Sequence, residues 1–109
     1  MKPLRWRPQA SNDLDTGALW YAEQGGLPLG RAFIKAVEET TDVVSRNPAS
    51  GSQRHSHLSL ESQETVLRFF RVARFERYLI YYIEQPDHID IVRIWNASRG
   101  LDALFDTDE

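Results

Sequence analysis

Three apolar segments in the second half of the chain decide its fold. They are residues 66–72 (VLRFFRV), 78–84 (YLIYYIE) and 89–95 (IDIVRIW). All three are rich in β-branched and aromatic residues, which favour strands. The connections, residues 74–77 (RFER) and 85–88 (QPDH), are short, so neighbouring strands must run antiparallel. The segments predict a β-meander that ends at residues 95–99 (WNASR), and we expect the function to lie on this sheet and at that end.

The third segment also predicts which side chains share a face. Successive side chains of a strand point to opposite faces, and this segment alternates clearly. One face is predicted to carry Ile89, Ile91, Arg93 and Trp95. The opposite face is predicted to carry Asp90, Val92, Ile94 and Asn96.

A short strand and a long loop complete the β pattern. Residues 4–7 (LRWR) alternate apolar and basic side chains between Pro3 and Pro8. Because proline cannot donate to a ladder, we expect this strand at a sheet edge or beside the last strand. Residues 47–65 are polar and predict a long loop, which could include a short strand near residues 57–60.

Two helices are predicted before that loop, each with one apolar face. The first is capped by Ser11 or Asn12, carries aspartates in its first turn and ends at residues 25–26 (GG). The second begins near Pro28 and ends at residues 47–48 (NP). The fold class is therefore α+β: a two-layer sandwich in which the N-terminal strand and the αα-hairpin pack on the C-terminal antiparallel meander. A short C-terminal helix is predicted at residues 100–105.

Composition and charge limit the possible functions. The 109 residues, 41% hydrophobic and 27% charged, predict one globular domain over residues 1–109. There is no cysteine, which excludes disulfides and thiol chemistry. No signal peptide is recognised, and the apolar run at residues 78–83 is too short to cross a bilayer, so a cytoplasmic protein is expected. With net charge −3 and a pI of about 5.6, the chain can bind nucleic acid only through a local patch.

Arginines are concentrated on the predicted meander. They are Arg68, Arg71, Arg74, Arg77, Arg93 and Arg99. They could form a positive patch, or they could belong to a solvated face balanced by glutamates. Arg68 and Arg71 would point to opposite faces of a regular strand, so they cannot all join one patch.

The other residues with chemical potential are histidines and aromatics. His55, His57 and His88 lie in predicted loops or turns without a carboxylate cluster, so no metal site is expected. The strand aromatics are more often packing pairs than base-stacking platforms. No nucleophile elbow, phosphate-binding glycine loop or recognisable acid pair is present. An RNase site made of arginine and tyrosine would show no such motif and stays open.

The order of these elements resembles the ParE/RelE toxins of bacterial type II toxin–antitoxin systems, and more closely ParE. The resemblance covers nearly the whole chain. Its phrases are the opening strand and first helix, residues 33–44 followed by Asn47-Pro48 and Gly51, residues 67–72, residues 78–82, and residues 89–95 followed by Arg99. One departure is at the end, where Trp95 stands in place of the family's histidine and Gly100, not aspartate, follows Arg99.

The resemblance implies a toxin, with its target left open. ParE-like members inhibit DNA gyrase and are binding inhibitors, so an enzyme is not expected. RelE-like members are ribosome-dependent mRNA endonucleases, which would give catalytic roles to Arg68, Arg71, Arg93, Tyr81 and Tyr82. The acidic pI favours the ParE-like reading, because ribosome docking needs broad positive charge. A third reading is an inactive toxin-fold protein that acts only in a complex with its antitoxin.

The resemblance also implies partners. A cognate ParD-like antitoxin, with a ribbon-helix-helix DNA-binding part, would neutralise the toxin, and operator DNA would be bound only through it. No cofactor or membrane is implied. The residues predicted to bind the target are Trp95, Asn96, Arg99, Leu104 and Phe105. The residues predicted to bind the antitoxin, if they are not simply core, are Trp20, Leu27, Leu29 and Phe33.

Overall fold

A computed structural model describes residues 1–58, 66–101 and 104 of the chain. Its helices and strands are β1 (Leu4–Trp6), α1 (Pro8–Gly25), α2 (Leu27–Arg46), β2 (Leu67–Val72), β3 (Phe75–Glu84) and β4 (Ile89–Asn96). Three short 3₁₀ turns are Pro48–Ser50, Ser56–Leu58 and Ala97–Arg99. Two helices thus pack on a four-stranded mixed sheet, which confirms the predicted α+β architecture.

The strand order in the sheet is β1-β4-β3-β2. The meander is antiparallel throughout, as its short connections require. β1 pairs in parallel with β4, from Leu4 opposite Ile89 to Trp6 opposite Ile91. The first strand therefore lies both at an edge and beside the last strand, as expected. Because β1 is only three residues long, the second half of β4 extends beyond it.

The predicted start of α1 was wrong. The helix begins at Pro8, with Arg7 as the extended N-cap residue, so Ser11 and Asn12 lie inside the helix. Proline is favoured at the first helical position because its φ is already helical and it has no N–H to satisfy. Asp13 consequently lies beyond the first turn, where it has a different role, described below.

The predicted turn between β2 and β3 was also too long. Val72 pairs with Phe75, so Ala73 and Arg74 alone form the turn. Arg74 has a φ of 71°, a conformation that tight hairpins require but that arginine rarely adopts. The sequence carries no glycine or asparagine there to mark the turn.

A β-bulge changes the predicted faces of β4. Tyr81 pairs with Arg93 and Tyr82 pairs with Ile91, so Val92 is the extra residue. A bulge shifts the alternation beyond it by one position. Ile94 therefore packs on the helical side with Ile89 and Ile91, while Trp95 packs on the opposite face.

Both faces of the sheet carry buried side chains. The inner core lies between helices and sheet and includes Phe33, Val37, Ile80, Tyr82, Ile91 and Ile94. The outer core lies on the other face and consists of Leu67, Phe69, Leu79, Tyr81, Ile83, Val92, Trp95 and Leu104, with Leu101 packed against it. The residues after β4 thus fold back onto the outer face, which places the end of the meander against its own sheet.

Two predicted elements fall partly outside the described residues. The turn Ala97–Arg99 is 3₁₀, and Gly100, with a φ of 78°, ends it. A C-terminal helix at residues 100–105 is not seen at Gly100 or Leu101, and residues 102, 103 and 105 lie outside the described part. In the region predicted as a strand near residues 57–60, Ser56–Leu58 is a 3₁₀ turn, and residues 59–60 lie outside the description.

Candidate functional site

The end of β4 is organised around the indole ring of Trp95. The ring is 1% exposed. The guanidinium carbons of Arg93 and Arg99 lie 4.8 and 4.4 Å from its centroid, within the range of cation–π attraction. The indole Nε1 donates to the carbonyl of Gly100 at 2.8 Å. One buried aromatic side chain therefore holds two cations and the turn that follows the strand.

Arg93 is fixed by α1. Its Nε and Nη2 donate to the two carboxylate oxygens of Asp13 at 2.7 and 2.9 Å, and its Nη1 donates to the carbonyl of Leu104 at 2.6 Å. The side chains of Arg93 and Asp13 are 10% and 9% exposed. Such a two-point pair defines the orientation of the guanidinium as well as its position.

The same carboxylate completes the backbone of β4. Asp13 also accepts the N–H of Ile94 at 3.0 Å. This amide lies beyond the end of β1, so no neighbouring strand serves it. Sequence reasoning missed this role of Asp13, and no local signal could have shown it, because its partners are 80 and 81 positions away.

Asn96 shapes the turn after the strand. Its Oδ1 accepts the N–H of Ser98 at 3.0 Å and the hydroxyl of Ser98 at 2.7 Å. An asparagine that binds the backbone two residues ahead stabilises a turn. The turn presents the exposed side chain of Arg99 toward α1.

A cleft of about 390 Å³ separates α1 from this turn. Its lining includes Asn12, Thr16, Trp20, Tyr78, Asn96 and Arg99. Amides, hydroxyls, an indole and a guanidinium can bind a partner by hydrogen bonds and stacking. The described residues that line it include no histidine, cysteine, serine or lysine. The carboxylate of Asp13, which also lines it, is bound by Arg93. The cleft is thus suited to binding a partner.

The structure places the predicted target-binding residues together with different accessibilities. Trp95 and Leu104 are buried, Asn96 is half-buried and Arg99 is exposed. Phe105 lies outside the described residues. The buried members support the site from below, and Arg99 and Asn96 are the members that a partner can reach.

Tyr81 and Tyr82, the tyrosines that the ribonuclease hypothesis would make catalytic, are buried in the two cores. Tyr82 is fully buried, its hydroxyl donates to the carbonyl of Pro48 at 2.6 Å, and burial raises its pKa. Tyr81 is also fully buried, its hydroxyl lies 2.7 Å from Nδ1 of His55, and burial raises its pKa to about 12. Gly51 leaves room for Tyr82, because a Cβ there would overlap the hydroxyl.

The arginines of the RNase reading do not converge. Arg68 donates to the carbonyls of Ala49 and Gly51, on the loop after α2. Arg71 is exposed on the opposite face, as regular alternation predicts, and Arg93 is bound to Asp13. Arg68 therefore attaches the loop and Arg93 contacts α1, while Arg71 points into solvent, so the three guanidinium groups form no common site.

His55 closes part of the outer core, a role that sequence reasoning missed. Its ring stacks on Phe69 at a centroid distance of 4.7 Å, and its Nδ1 is hydrogen-bonded to the Tyr81 hydroxyl. Burial, together with the positive charges of Arg54 and Arg71 and the proximity of His57, lowers the pKa of His55 below its ordinary 6.5. The loop histidine is therefore a packing residue that resists protonation.

This lowered pKa predicts a pH dependence of stability. The unfolded chain takes up a proton on His55 more readily than the folded chain does, so acidification favours unfolding. The contribution of His55 is fully present above its unfolded pKa of 6.5 and is lost as the pH falls through the lower, folded value. Urea unfolding of wild type and His55→Gln between about pH 8 and pH 5 measures it, with the wild type losing more stability. His57→Gln removes only one of the lesser causes of the shift and should keep most of the wild-type profile; identical profiles for wild type and His55→Gln would contradict the assignment.

Neither a metal centre nor a membrane span is found in the described part of the chain. There, no group of three or more histidine, aspartate or glutamate side chains could hold a metal ion. The helices among the described residues are not long and apolar enough to cross a membrane.

Comparison with known proteins now identifies the family. The sequence model for the ParE toxin of type II toxin-antitoxin system, parDE, matches residues 4–101. The chain belongs to the ParE toxin family. A solved structure described as the chromosomal ParDE TA system from P. aeruginosa has the same fold, with a TM-score of 0.70 and 20% identity. That match covers 88% of this chain and 96% of the other. No curated protein matches the sequence.

A ParE toxin implies an antitoxin partner, and the structure separates the four predicted anchors for it. Trp20 and Leu27 are 48% and 63% exposed, and Leu19 beside them is 62% exposed. Leu29 is half-buried, whereas Phe33 is fully buried in the inner core and is not accessible to a partner. The accessible members are therefore on the helical hairpin, with Leu27 at the start of α2 and Trp20 on α1, where it also lines the cleft.

Proposed function

We propose that this ParE-type toxin inhibits DNA gyrase by binding and that a ParD-like antitoxin neutralises it in the cytoplasm. The family match over residues 4–101 carries this proposal. The geometry supports a binding inhibitor over a ribonuclease. Tyr81 and Tyr82 are fully buried and hydrogen-bonded, and the three arginines of the RNase reading occupy separate positions.

The target contact is proposed at the end of β4. Arg99 and Asn96 are the accessible residues there, supported by buried Trp95 and Leu104, and Phe105 follows them in the sequence. The guanidinium of Arg99 is held against the Trp95 ring, so less side-chain freedom is lost when it binds a partner. The turn that carries Arg99 is held by the hydrogen bonds between Asn96 and Ser98 and between the Gly100 amide and the Ala97 carbonyl.

A supercoiling assay tests the gyrase proposal. Micromolar toxin, separated from its antitoxin, should inhibit supercoiling by purified gyrase and increase cleaved DNA. The same toxin in complex with its antitoxin is the matched control and should have no effect. Unchanged supercoiling and unchanged cleavage with free, folded toxin would reject gyrase as the target. Message cleavage on ribosomes in a reconstituted translation reaction would instead support the RelE-like activity.

The antitoxin is proposed to bind the exposed apolar side chains of the helical hairpin. Coupled folding of an antitoxin segment would bury the exposed side chains of Trp20 and Leu27. The antitoxin is proposed to carry the ribbon-helix-helix part and to be the only contact with operator DNA. A small reading frame next to the toxin gene with such an N-terminal part would support this arrangement.

Removing the two exposed anchors is expected to weaken the complex. Trp20→Ala with Leu27→Ala should lower antitoxin affinity by a factor of about 10 or more, since truncating central aromatic anchors commonly costs 1 kcal/mol or more. Stability should change little because both side chains are exposed. Titration calorimetry measures the affinity. Val66→Ala, at an exposed apolar residue outside the hairpin, is the control; unchanged affinity in the double variant would remove these side chains from the interface.

A further inference from the structure

Acidic and basic residues are unevenly distributed along the sequence. Of its 16 acidic residues, six lie in residues 59–65, 102–103 and 105–109, which contain no lysine or arginine. They are Glu61, Glu64, Asp102, Asp106, Asp108 and Glu109. All 13 lysines and arginines therefore lie in the remaining segments, although the net charge of the whole chain is −3.

Strand register brings several of these bases to one end of the sheet. Arg71 on β2 pairs with Leu79 on β3, and Leu79 pairs with Trp95 on β4. Arg71 and Trp95 thus lie in one row, about 10 Å apart across two strand spacings. The guanidinium of Arg99 stacks on the Trp95 ring. This row places Arg71 and Arg99 at the same end of the sheet.

The hairpin between β2 and β3 adds two more. The Nη1 of Arg71 reaches the carbonyl of Glu76 at 3.4 Å, next to Arg77. Arg74 forms the turn itself. We call Arg71, Arg74, Arg77 and Arg99, all exposed, the arginine rim.

The rim cations are little neutralised within the described residues. There, Arg71, Arg77 and Arg99 have no carboxylate at ion-pair distance. Arg74 lies 3.7 Å from Glu39, but both side chains are more than half exposed, and such pairs contribute little. By contrast, Arg93 is firmly paired with Asp13. Glu76 is the acidic residue within the hairpin and leaves a net positive rim.

The β2–β3 hairpin, which carries Arg71, Arg74 and Arg77, is better suited to phosphate than to a protein surface. In the described part, the large exposed hydrophobic side chains are Met1, Leu19, Trp20, Leu27, Val43 and Val66, none of which lies on this hairpin. A stable protein interface needs an apolar centre. Guanidinium groups match phosphate oxygens with two parallel hydrogen bonds and need no such centre.

We propose that the arginine rim binds the phosphate backbone of duplex DNA without reading its sequence. The inference rests on the proposed gyrase function for the source of that DNA, which would be the duplex held by the enzyme. The toxin then contacts the nucleic acid as well as the protein of its target. Four phosphate contacts give a logarithmic salt slope of about −3.6, since each contributes about −0.9.

The experiment titrates free toxin, without gyrase, into a fluorescently labelled DNA duplex of about 25 base pairs that lacks operator sequence. Fluorescence anisotropy at about 50 mM salt measures the affinity. Arg71→Gln, Arg77→Gln and Arg99→Gln are combined in the rim variant. The matched control combines Arg5→Gln, Arg31→Gln and Lys35→Gln, exposed positions outside the rim with the same change in net charge. Thermal unfolding tests whether both variants fold. If the rim variant does not fold, the single variant Arg77→Gln replaces it, because the Arg77 side chain has no bonded partner in the described part.

The rim variant should bind at least about tenfold more weakly than wild type and lose about 2.7 of the salt slope, while the control loses less than about threefold. Asp106→Asn with Asp108→Asn and Glu109→Gln should raise affinity, because removing like charge favours approach of a polyanion. Equal losses in rim and control variants would overturn the inference. Tighter binding to single-stranded RNA of equal length would overturn the assignment to duplex DNA.

The two proposals fail separately. If the toxin inhibits gyrase but its rim variant binds DNA normally, the proposed function stands and the DNA-binding role of the rim is rejected. If the toxin binds DNA through the rim but leaves supercoiling unchanged, the role of the rim stands and gyrase is rejected as the target.

Discussion

Asp13→Ala is expected to lower the free energy of unfolding by about 3–5 kcal/mol, the cost of removing one partner from a buried ion pair. The carboxylate binds two nitrogens of Arg93 and the backbone N–H of Ile94, all within 3.0 Å. Both charged side chains are at most 10% exposed, so solvent replaces the lost partner poorly. Urea unfolding measures the difference.

Three controls define the mechanism. Asp15→Ala changes an exposed aspartate two residues away and should stay within about 0.5 kcal/mol of wild type. Asp13→Asn keeps an acceptor oxygen and should cost less than alanine. Adding Arg93→Met to Asp13→Ala should recover part of the loss, because no unpaired charge then stays buried. A loss below about 1 kcal/mol for Asp13→Ala would show that the pair does not stabilise the fold.

Trp95→Ala is expected to cost about 3–5 kcal/mol as well, because it leaves a cavity in the outer core. The indole is almost fully buried, donates to Gly100 and contacts both Arg93 and Arg99. The turn that carries Arg99 should therefore lose its support together with the core. Chemical unfolding measures the stability, and tryptophan loss in the near-ultraviolet circular dichroism reports the site directly.

Trp95→Phe separates packing from the hydrogen bond. It keeps an aromatic face for the two guanidinium groups but loses the Nε1 donor, so a smaller cost of about 1–2 kcal/mol is expected. Trp6→Phe, on the half-buried first strand, is the comparison for replacing a tryptophan at a less packed position. Equal losses for Trp95→Ala and Trp95→Phe would show that the hydrogen bond, and not the ring, supports the turn.

The architecture could be predicted because its signals are local. The meander follows from three apolar segments with short connections, and the helical hairpin from periodicity around residues 25–26. The details that failed depend on competition between neighbouring signals. The helix α1 begins at Pro8, so Ser11 and Asn12 lie within it and do not cap it. The turn at Arg74 has a positive φ, which an arginine in the sequence does not predict.

The site could be located from sequence but not assembled. The end of the meander was recognised, yet the bulge at Val92 exchanged the faces of Ile94 and Trp95. A bulge depends on cross-strand register, which alternation alone does not encode. The contacts between Asp13 and Arg93, and between His55 and Tyr81, join distant parts of the chain and leave no trace in spacing.

Net charge and the family match agree on the branch of the family. The whole-chain pI favoured the ParE-like interpretation over the RelE-like one. The family match now carries that assignment independently of charge.

The carboxylate of Asp13 also affects whether another strand can pair with β4. The half of β4 beyond β1 has no neighbouring strand, and there Asp13 accepts the Ile94 N–H that the carbonyl of an added strand would otherwise accept. An unpaired strand edge invites a second copy to extend the sheet. Because Asp13 accepts this amide from within the chain, the Ile94 N–H is not free to pair with a strand of a second copy.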